Sequence, residues 1–237
     1  MDEDPNFAAA YDLRQGEFGD WTKQSIVYPH VVRVLKTLDV SRILDVGCGN
    51  GAFCRFAESA GFSADGIDIS AGLIERAKSR DGNKRRKYEV VDCENAGASV
   101  LSGYDCLVCL FSVQDMRQPS RFFSSVRQSA ATGTTLVIMN ESYFHLTNAL
   151  VKHSVKRTLT KTNGFDEASH VSAAEWTPDI TGFTYCRADR TYLSLLERSG
   201  LKVVDSSSFG KQRGPLAALQ LLMQSSRPFI QILARIS

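Results

Sequence analysis

No stretch of the sequence approaches the roughly 20 consecutive apolar residues that cross a bilayer, so a membrane span is excluded from the expected architecture. Charge is nearly balanced. A formal net charge of +2 is too small to announce a nucleic-acid or membrane-surface partner. Cys48, Cys54, Cys93, Cys106, Cys109 and Cys186 are scattered through apolar segments, with neither a disulfide framework nor a zinc-ligand spacing. Cys106 and Cys109 form a C-x-x-C inside an expected strand. Side chains three apart on a strand point to opposite faces, so the pair is a poor joint ligand set. The six thiols read as small buried hydrophobes in a reducing compartment. The acidic opening MDEDPNFAAAYD has no apolar core of a secretory signal, and a cytoplasmic protein is expected. There is no Gly-Lys-Ser/Thr of a phosphate-binding loop, no internal repeat and no low-complexity tract.

What is present is a strand–helix alternation in 237 residues with 43% hydrophobic content, enough for one α/β domain with a substantial core. Apolar residues at helical spacing predict a helix over 21–38, with Pro29 as a turn start or a break. Strands are predicted at 41–45, 62–69, 88–91, 104–111, 134–140, 201–205 and 229–236, with helices at 52–60, from the Ser70 cap, at 119–130 and at 190–199. Alternation of this kind packs as a doubly wound, mostly parallel sheet. The last strand has only a weak crossover candidate, 216–224, before it, so it is expected to run antiparallel. Residues 141–185 break the rhythm and are too long for a plain crossover. An amphipathic helix is predicted through Leu146, Leu150, Val151, Val155 and Leu159, its other face carrying Lys152, His153, Lys156, Arg157 and Lys161. An irregular stretch, 164–185, is predicted after it, the whole insertion covering the site.

The chemistry gathers at the strand ends. Ligands bind an open α/β sheet beyond the carboxyl ends of its strands. Asp45, Asp68 and Asp92 fall there, and Asp45 precedes a turn with glycines at alternate positions, Gly47, Gly49 and Gly51. The pattern D-x-G-x-G-x-G differs from the dinucleotide fingerprint G-x-G-x-x-G. An acid beside the turn repels a pyrophosphate and suits a cationic amino-acid end. An acid closing strand 2 suits ribose hydroxyls, and a polar residue closing strand 3 suits an adenine amino group. The expected ligand contains adenosine.

These residues resemble a known family. Leu44-Asp45-Val46-Gly47-Cys48-Gly49-Asn50-Gly51 looks like motif I of the class I S-adenosylmethionine-dependent methyltransferases. Gly66-Ile67-Asp68-Ile69-Ser70, Val90-Val91-Asp92-Cys93-Glu94, Tyr104-Asp105-Cys106-Leu107-Val108-Cys109 and Phe111-Ser112-Val113-Gln114-Asp115 resemble the later motifs in order. Residues 191–201 are similar to the late helix and turn of the small-molecule branch. The resemblance implies a Rossmann-like seven-stranded sheet with a lid after strand 5, binding S-adenosylmethionine and methylating a small molecule at O, N or C. It implies that Gly47, Cys48, Gly49 and Gly51 approach the methionine part, with Asp45 orienting the turn and the amino group. Asp68 and Ile69 would meet the ribose side, Asp92 and Cys93 the adenine, Phe111 the flank from strand 4, and Tyr11 would close over the methionine end. The alternatives are RNA or protein methylation, or a non-catalytic donor-binding subunit.

Departures narrow the acceptor. The Lys-Pro-Gly-Gly that resembling proteins carry before strand 5 is Ala131-Thr132-Gly133-Thr134 here, and no Asn/Asp-Pro-Pro-Tyr/Phe follows strand 4, which counts against base or glutamine methylation. The acid cluster of metal-dependent relatives is not evident, so no metal is expected. His145, just after strand 5, is the first candidate base, the alternative being a helix-start histidine that faces solvent or packs. Glu141 is placed as well, or it caps the following segment. His30, in the segment 1–38 read as an N-terminal helical cap, could enter the pocket. His153 fits a solvated basic face, and His170 is a further, weaker candidate. Lys84-Arg85-Arg86-Lys87 reads as solvated surface. Trp176, Phe183 and Tyr185 either line an apolar acceptor pocket or hold the insertion on the domain. A monomer or homodimer acting on a small molecule is expected.

Overall fold

The computed structural model describes residues 6–82, 86–142, 157–162, 167–168, 170–177, 180–209 and 229–236. Its main sheet has seven strands. β1 (Arg42–Val46), β2 (Ser63–Asp68), β3 (Tyr88–Val90), β4 (Cys106–Leu110) and β5 (Thr135–Glu141) pair in parallel, in the spatial order β3-β2-β1-β4-β5. β10 (Phe229–Ile236) runs antiparallel between β5 and β9 (Leu201–Phe209). The strand order reverses between β1 and β4, which opens a crevice beyond their carboxyl ends.

Helices cover both faces, which explains why β4 is apolar throughout. Cys109, Leu107, Leu44 and Ile138 face a core closed by Phe122 and Phe123 of α6 (Pro119–Ser129) and Tyr192 and Leu196 of α7 (Asp189–Arg198). Cys106, Val108, Ile43 and Val137 face a second core. It is closed by Val31 and Leu35 of α2 (Tyr28–Thr37), Phe53 of α3 (Ala52–Ser59) and Ile74 of α4 (Ala71–Arg80). Each such side chain contributes about 1.5–3 kcal/mol on burial. Cys106 and Cys109 thus lie on opposite sides of the sheet, as the strand period requires.

The predicted helix at 21–38 is continuous but not uniform. A π-helical segment, Lys23–Val27, runs directly into α2, and Pro29 occupies the first turn of α2 without breaking it. The π turn has already left the i→i−4 ladder, with Tyr28 N donating to Lys23 O, and that local rearrangement accommodates a residue with no N–H to give. α1 (Phe7–Gln15) precedes it. A single 3₁₀ turn (Cys93–Asn95) and α5 (Ala98–Leu101) link β3 to β4. Ser70 caps α4 as expected, its Oγ accepting from Leu73 N at 3.4 Å.

The insertion after β5 differs from its expected form. Arg157–Lys161 is a strand, β6, where the apolar spacing predicts the end of a helix. The stretch 164–185, expected to be irregular, contains β7 (His170–Thr177) and β8 (Ile180–Cys186). The three form a separate antiparallel sheet in the order β6-β7-β8. β-Branched and aromatic residues make up half of these three strands, and cross-strand pairing overrides a helical period resting on a few positions. The remainder of the predicted helix and the 216–224 candidate lie outside the described residues. β9 extends to Phe209, four residues beyond the predicted end, because it pairs with β10 as far as Phe229. Among the described residues, no helix is long and apolar enough to cross a membrane.

Candidate active site

The turn between β1 and α3 is the floor of the site. Gly47, Gly49 and Gly51 all have positive φ, at 79°, 54° and 75°. A Cβ on Gly47 would lie 2.3 Å from Ser112 Cβ, and one on Gly49 would lie 3.1 Å from the Tyr11 hydroxyl. The glycines therefore serve the protein's own close packing as well as the approach of a ligand. Gly47 N and Cys48 N both donate to Ile67 O, at 2.8 and 2.9 Å, so the turn is hung from β2.

Two acids face this turn in different ways. Asp68 Oδ2 accepts from Gly49 N at 2.8 Å and Oδ1 from Ser70 N at 2.9 Å. It ties the glycine turn to the start of α4. Asp45 is 2% exposed. Its Oδ2 accepts from Cys54 Sγ at 3.7 Å, while its Oδ1 has no hydrogen-bond partner among the described residues. Burial pushes its carboxyl up to about 7; the Cys54 contact and Lys23 oppose that rise, and Asp68 adds to it. A buried carboxylate oxygen with no partner costs about 1–3 kcal/mol, more when charged.

The N-terminal segment is bolted over the turn. Asn50, buried, donates to Asp12 Oδ1 at 2.8 Å and to Gly16 O at 2.9 Å. Arg80 grips the same carboxylate through two bonds, at 2.8 and 2.5 Å, and Arg76 approaches it at 3.5 Å. Burial alone would raise the Asp12 carboxyl, but the Arg80 and Asn50 bonds prevail and hold it below its ordinary value. Arg55 adds a bond to Glu17 O. Tyr11 is thereby held over Gly49. Its phenol is raised by burial, against the opposing Lys23 ammonium.

The opposite wall is the end of β4 and the loop after it. Phe111 adopts φ +62°, a left-handed conformation that costs a non-glycine residue on the order of 1–3 kcal/mol. Its amide donates to Met139 O at 2.7 Å, which fixes this turn. Lys23 Nζ sits 5.7 Å from the Phe111 ring centroid and 5.6 Å from that of Tyr11, and bonds the Tyr11 hydroxyl at 3.4 Å. Gln114 Oε1 accepts from Glu141 N at 2.7 Å, joining the loop to the end of β5. Asp115 Oδ1 accepts from Thr184 Oγ1 of β8 at 3.0 Å. Arg187, 1% exposed, donates to the carbonyls of Val113, Gln114, Met116 and Arg117 and to that of Glu167. One guanidinium thus stitches the β4–α6 loop to the accessory sheet.

With this geometry in view, the likeness to known proteins is decisive. Residues 21–206 match the family described as Methyltransferase domain. The chain belongs to that family. An enzyme of Hydrogenovibrio crunogenus named Ubiquinone biosynthesis O-methyltransferase is 24% identical over 120 residues, a match spanning 50% of this chain and 50% of that enzyme. An S-adenosylmethionine dependent methyltransferase from Mesorhizobium loti has a similar structure, with TM-score 0.62 and 21% identity over 90% of this chain and 99% of the other. One from Clostridium acetobutylicum ATCC 824 gives TM-score 0.67 with 13% identity over 98% of each chain.

In this methyltransferase domain the other sequence-predicted residues are placed as follows. Asp92 follows β3 and caps the 3₁₀ turn, accepting from Glu94 N and Asn95 Nδ2. Cys93 is half-buried, its thiol pushed up to about 12 by burial, with Asp92 the next cause. Ile69, beside Asp68, is 45% exposed, an apolar side chain left open beyond the end of β2. His30 does not enter the pocket: its ring stacks on Phe209 at 3.9 Å and its Nε2 pairs with Gln231 Oε1 at 2.8 Å. Arg86 is not solvated surface. Its side chain is 9% exposed and pairs with Asp81 and Glu58, while Lys84 and Arg85 lie outside the described residues. His145 and His153 also lie outside them. His170 opens β7 opposite Cys186. Sequence reasoning missed Lys23, Asn50, Asp115 and Arg187 as parts of the site. Asn50 and Asp115 stand inside quoted motifs, but their partners are remote in sequence.

Proposed function

We propose that this methyltransferase domain transfers a methyl group from S-adenosylmethionine to a small-molecule acceptor. The observation that carries the reading is Asp45 Oδ1, a buried carboxylate oxygen beside the glycine turn with no partner among the described residues. The α-ammonium of the donor's methionine part would satisfy it, directly or through one water. The donor set fits the rest of the ligand. Asp68 would accept from the ribose hydroxyls while its bonds to Gly49 N and Ser70 N hold it in place. The exposed Ile69 side chain would meet the apolar ribose and adenine faces, with Asp92 and the Cys93 amide at the adenine edge. Tyr11 and Phe111 would flank the methionine end.

Bound S-adenosylmethionine supplies an electrophilic methyl carbon on a sulfonium. The chain's share is to align acceptor and methyl, exclude water and handle any proton, and alignment alone can supply a large part of the rate. We read 1–38 as a cap over the donor and 141–185 as the acceptor-side segment of a single domain. Contact between α1 and β7 supports that reading, since it joins the two segments directly. Relatives named Ubiquinone biosynthesis O-methyltransferase favour a small-molecule acceptor over a polymer. Incubation with methyl-tritiated S-adenosylmethionine and a cell extract tests this. Label should appear in the small-molecule fraction. Label confined to RNA or protein would overturn the choice of acceptor.

A further inference from the structure

We propose that Asp115 is the residue that takes the acceptor's proton, with Thr184 aiming its carboxylate and Lys23 facing the charge left on the acceptor atom. This rests on the methyl-transfer reading above. Asp115 stands on the β4–α6 loop, past the carboxyl end of β4, where the sheet crevice opens. Its side chain is open to solvent yet enclosed by surrounding protein, the situation of a group on the wall of a cleft. Thr184 Oγ1 occupies Oδ1 at 3.0 Å, and among the described residues Oδ2 makes no hydrogen bond. The loop that carries it does not drift. Arg187 holds the carbonyls on either side, at Gln114 and Met116, and Tyr185 N donates to Gln114 O at 2.8 Å.

The groups that act on Asp115 come from several elements. The protein packed around this open cleft wall thins the water that would solvate the charge and raises its carboxyl to about 7; the Thr184 bond opposes this, Glu141 at the end of β5 adds to it, and Lys23 of the π segment and Arg187 oppose it. Tyr11 of α1 and Tyr192 of α7 also feel its charge. Glu141, an expected base, is here a neighbour whose charge adds to the rise at Asp115. A carboxylate poised near neutrality is a far better proton acceptor than one of ordinary acidity.

The pairing with Lys23 points to a hydroxyl acceptor. The acceptor O–H bond breaks as its proton passes to Asp115 Oδ2. A lone pair of that oxygen forms the new bond to the methyl carbon. The methyl–sulfur bond breaks, and its electron pair stays on sulfur in the neutral thioether product. Asp115 is left protonated and gives the proton to solvent through its open side. Lys23 favours the transient negative charge on oxygen and disfavours an amine acceptor, which becomes positive on methylation.

The test is a pH titration of the chain with carbon-13 at the aspartate carboxyl carbons and S-adenosylhomocysteine present. The resonance missing from Asp115→Asn should titrate near pH 7, with a midpoint that falls in Glu141→Gln and rises in Lys23→Met. A midpoint below pH 5, or one unmoved by both variants, overturns the proposal whatever the acceptor. With unsubstituted catechol as a hydroxyl probe, which keeps its protons at pH 7, Asp115→Asn should lower kcat at that pH by about 10²–10⁴-fold, the usual range for a general base, with KM for the donor little changed. A kcat within threefold of the unmodified chain overturns it. Calorimetry with S-adenosylhomocysteine on the same samples shows whether each variant is folded and separates the claims. Loss of binding by the unmodified chain contradicts the donor reading, and the carboxyl titration still decides Asp115.

Discussion

At the scale of single residues, the site stores unfavourable electrostatics that a ligand can relieve. Asp45 is the clearest case. Between about pH 4 and 7 the folded chain keeps a proton on Asp45 that the unfolded chain has already lost, because burial holds the folded value near 7. Stability therefore falls as pH rises through that window and stays at its lower level above it. Asp45→Asn should remove its share, on the order of 2–4 kcal/mol at pH 8. Melting curves at pH 5 and pH 8 check this. The gap between them should narrow by several degrees in the variant, and an unchanged gap would show that Asp45 is not buried as a charge. Residue types and motif order made Asp45, Asp68 and the glycines legible in the sequence. Asp115 stood in the same motifs with no role assigned. Its chemistry depends on Thr184 and Lys23, 69 residues later and 92 earlier, and no local pattern encodes that meeting.

At the scale of elements, two fastenings decide whether those residues act together. One is Asp12, which joins α1 to the glycine turn through Asn50 and to α4 through Arg80. Asp12→Ala should leave the buried Asn50 amide short of an acceptor and cost about 1–3 kcal/mol, the range for a buried polar group left unsatisfied. It should also weaken donor binding by freeing Tyr11. Limited proteolysis checks it: cleavage within the first 20 residues should quicken, and S-adenosylhomocysteine should protect less than in the unmodified chain. Equal cleavage rates would remove Asp12 from the account. Because Asp12 is held below its ordinary value, its contribution is present above about pH 4 and fades as pH falls. The other fastening is Arg187, whose donors go to backbone carbonyls of a loop some 70 residues earlier. Helices with clear caps and a regular apolar period were predictable. The strands β6 to β8 were not, because their partner is another short strand and not the main core.

At the scale of the whole molecule, the two faces of one sheet explain most of the sequence. Helix cover on both sides requires the apolar central strands, and the reversal between β1 and β4 sets the crevice. That much follows from strand–helix alternation and right-handed crossovers. The antiparallel β10, wedged between β5 and β9, matches the expectation drawn from the weak crossover candidate before it in the sequence. What alternation cannot supply is how the accessory sheet joins the domain, because that junction rests on long-range contacts such as those of Thr184 and Arg187. The central claim is that these elements converge on a donor site with an open demand for a cation at Asp45. Titration calorimetry of the full chain with S-adenosylhomocysteine tests it most directly. The account predicts binding of one equivalent, weakened at least tenfold by Asp45→Ala. No binding, or equal affinity in the two chains, would contradict it.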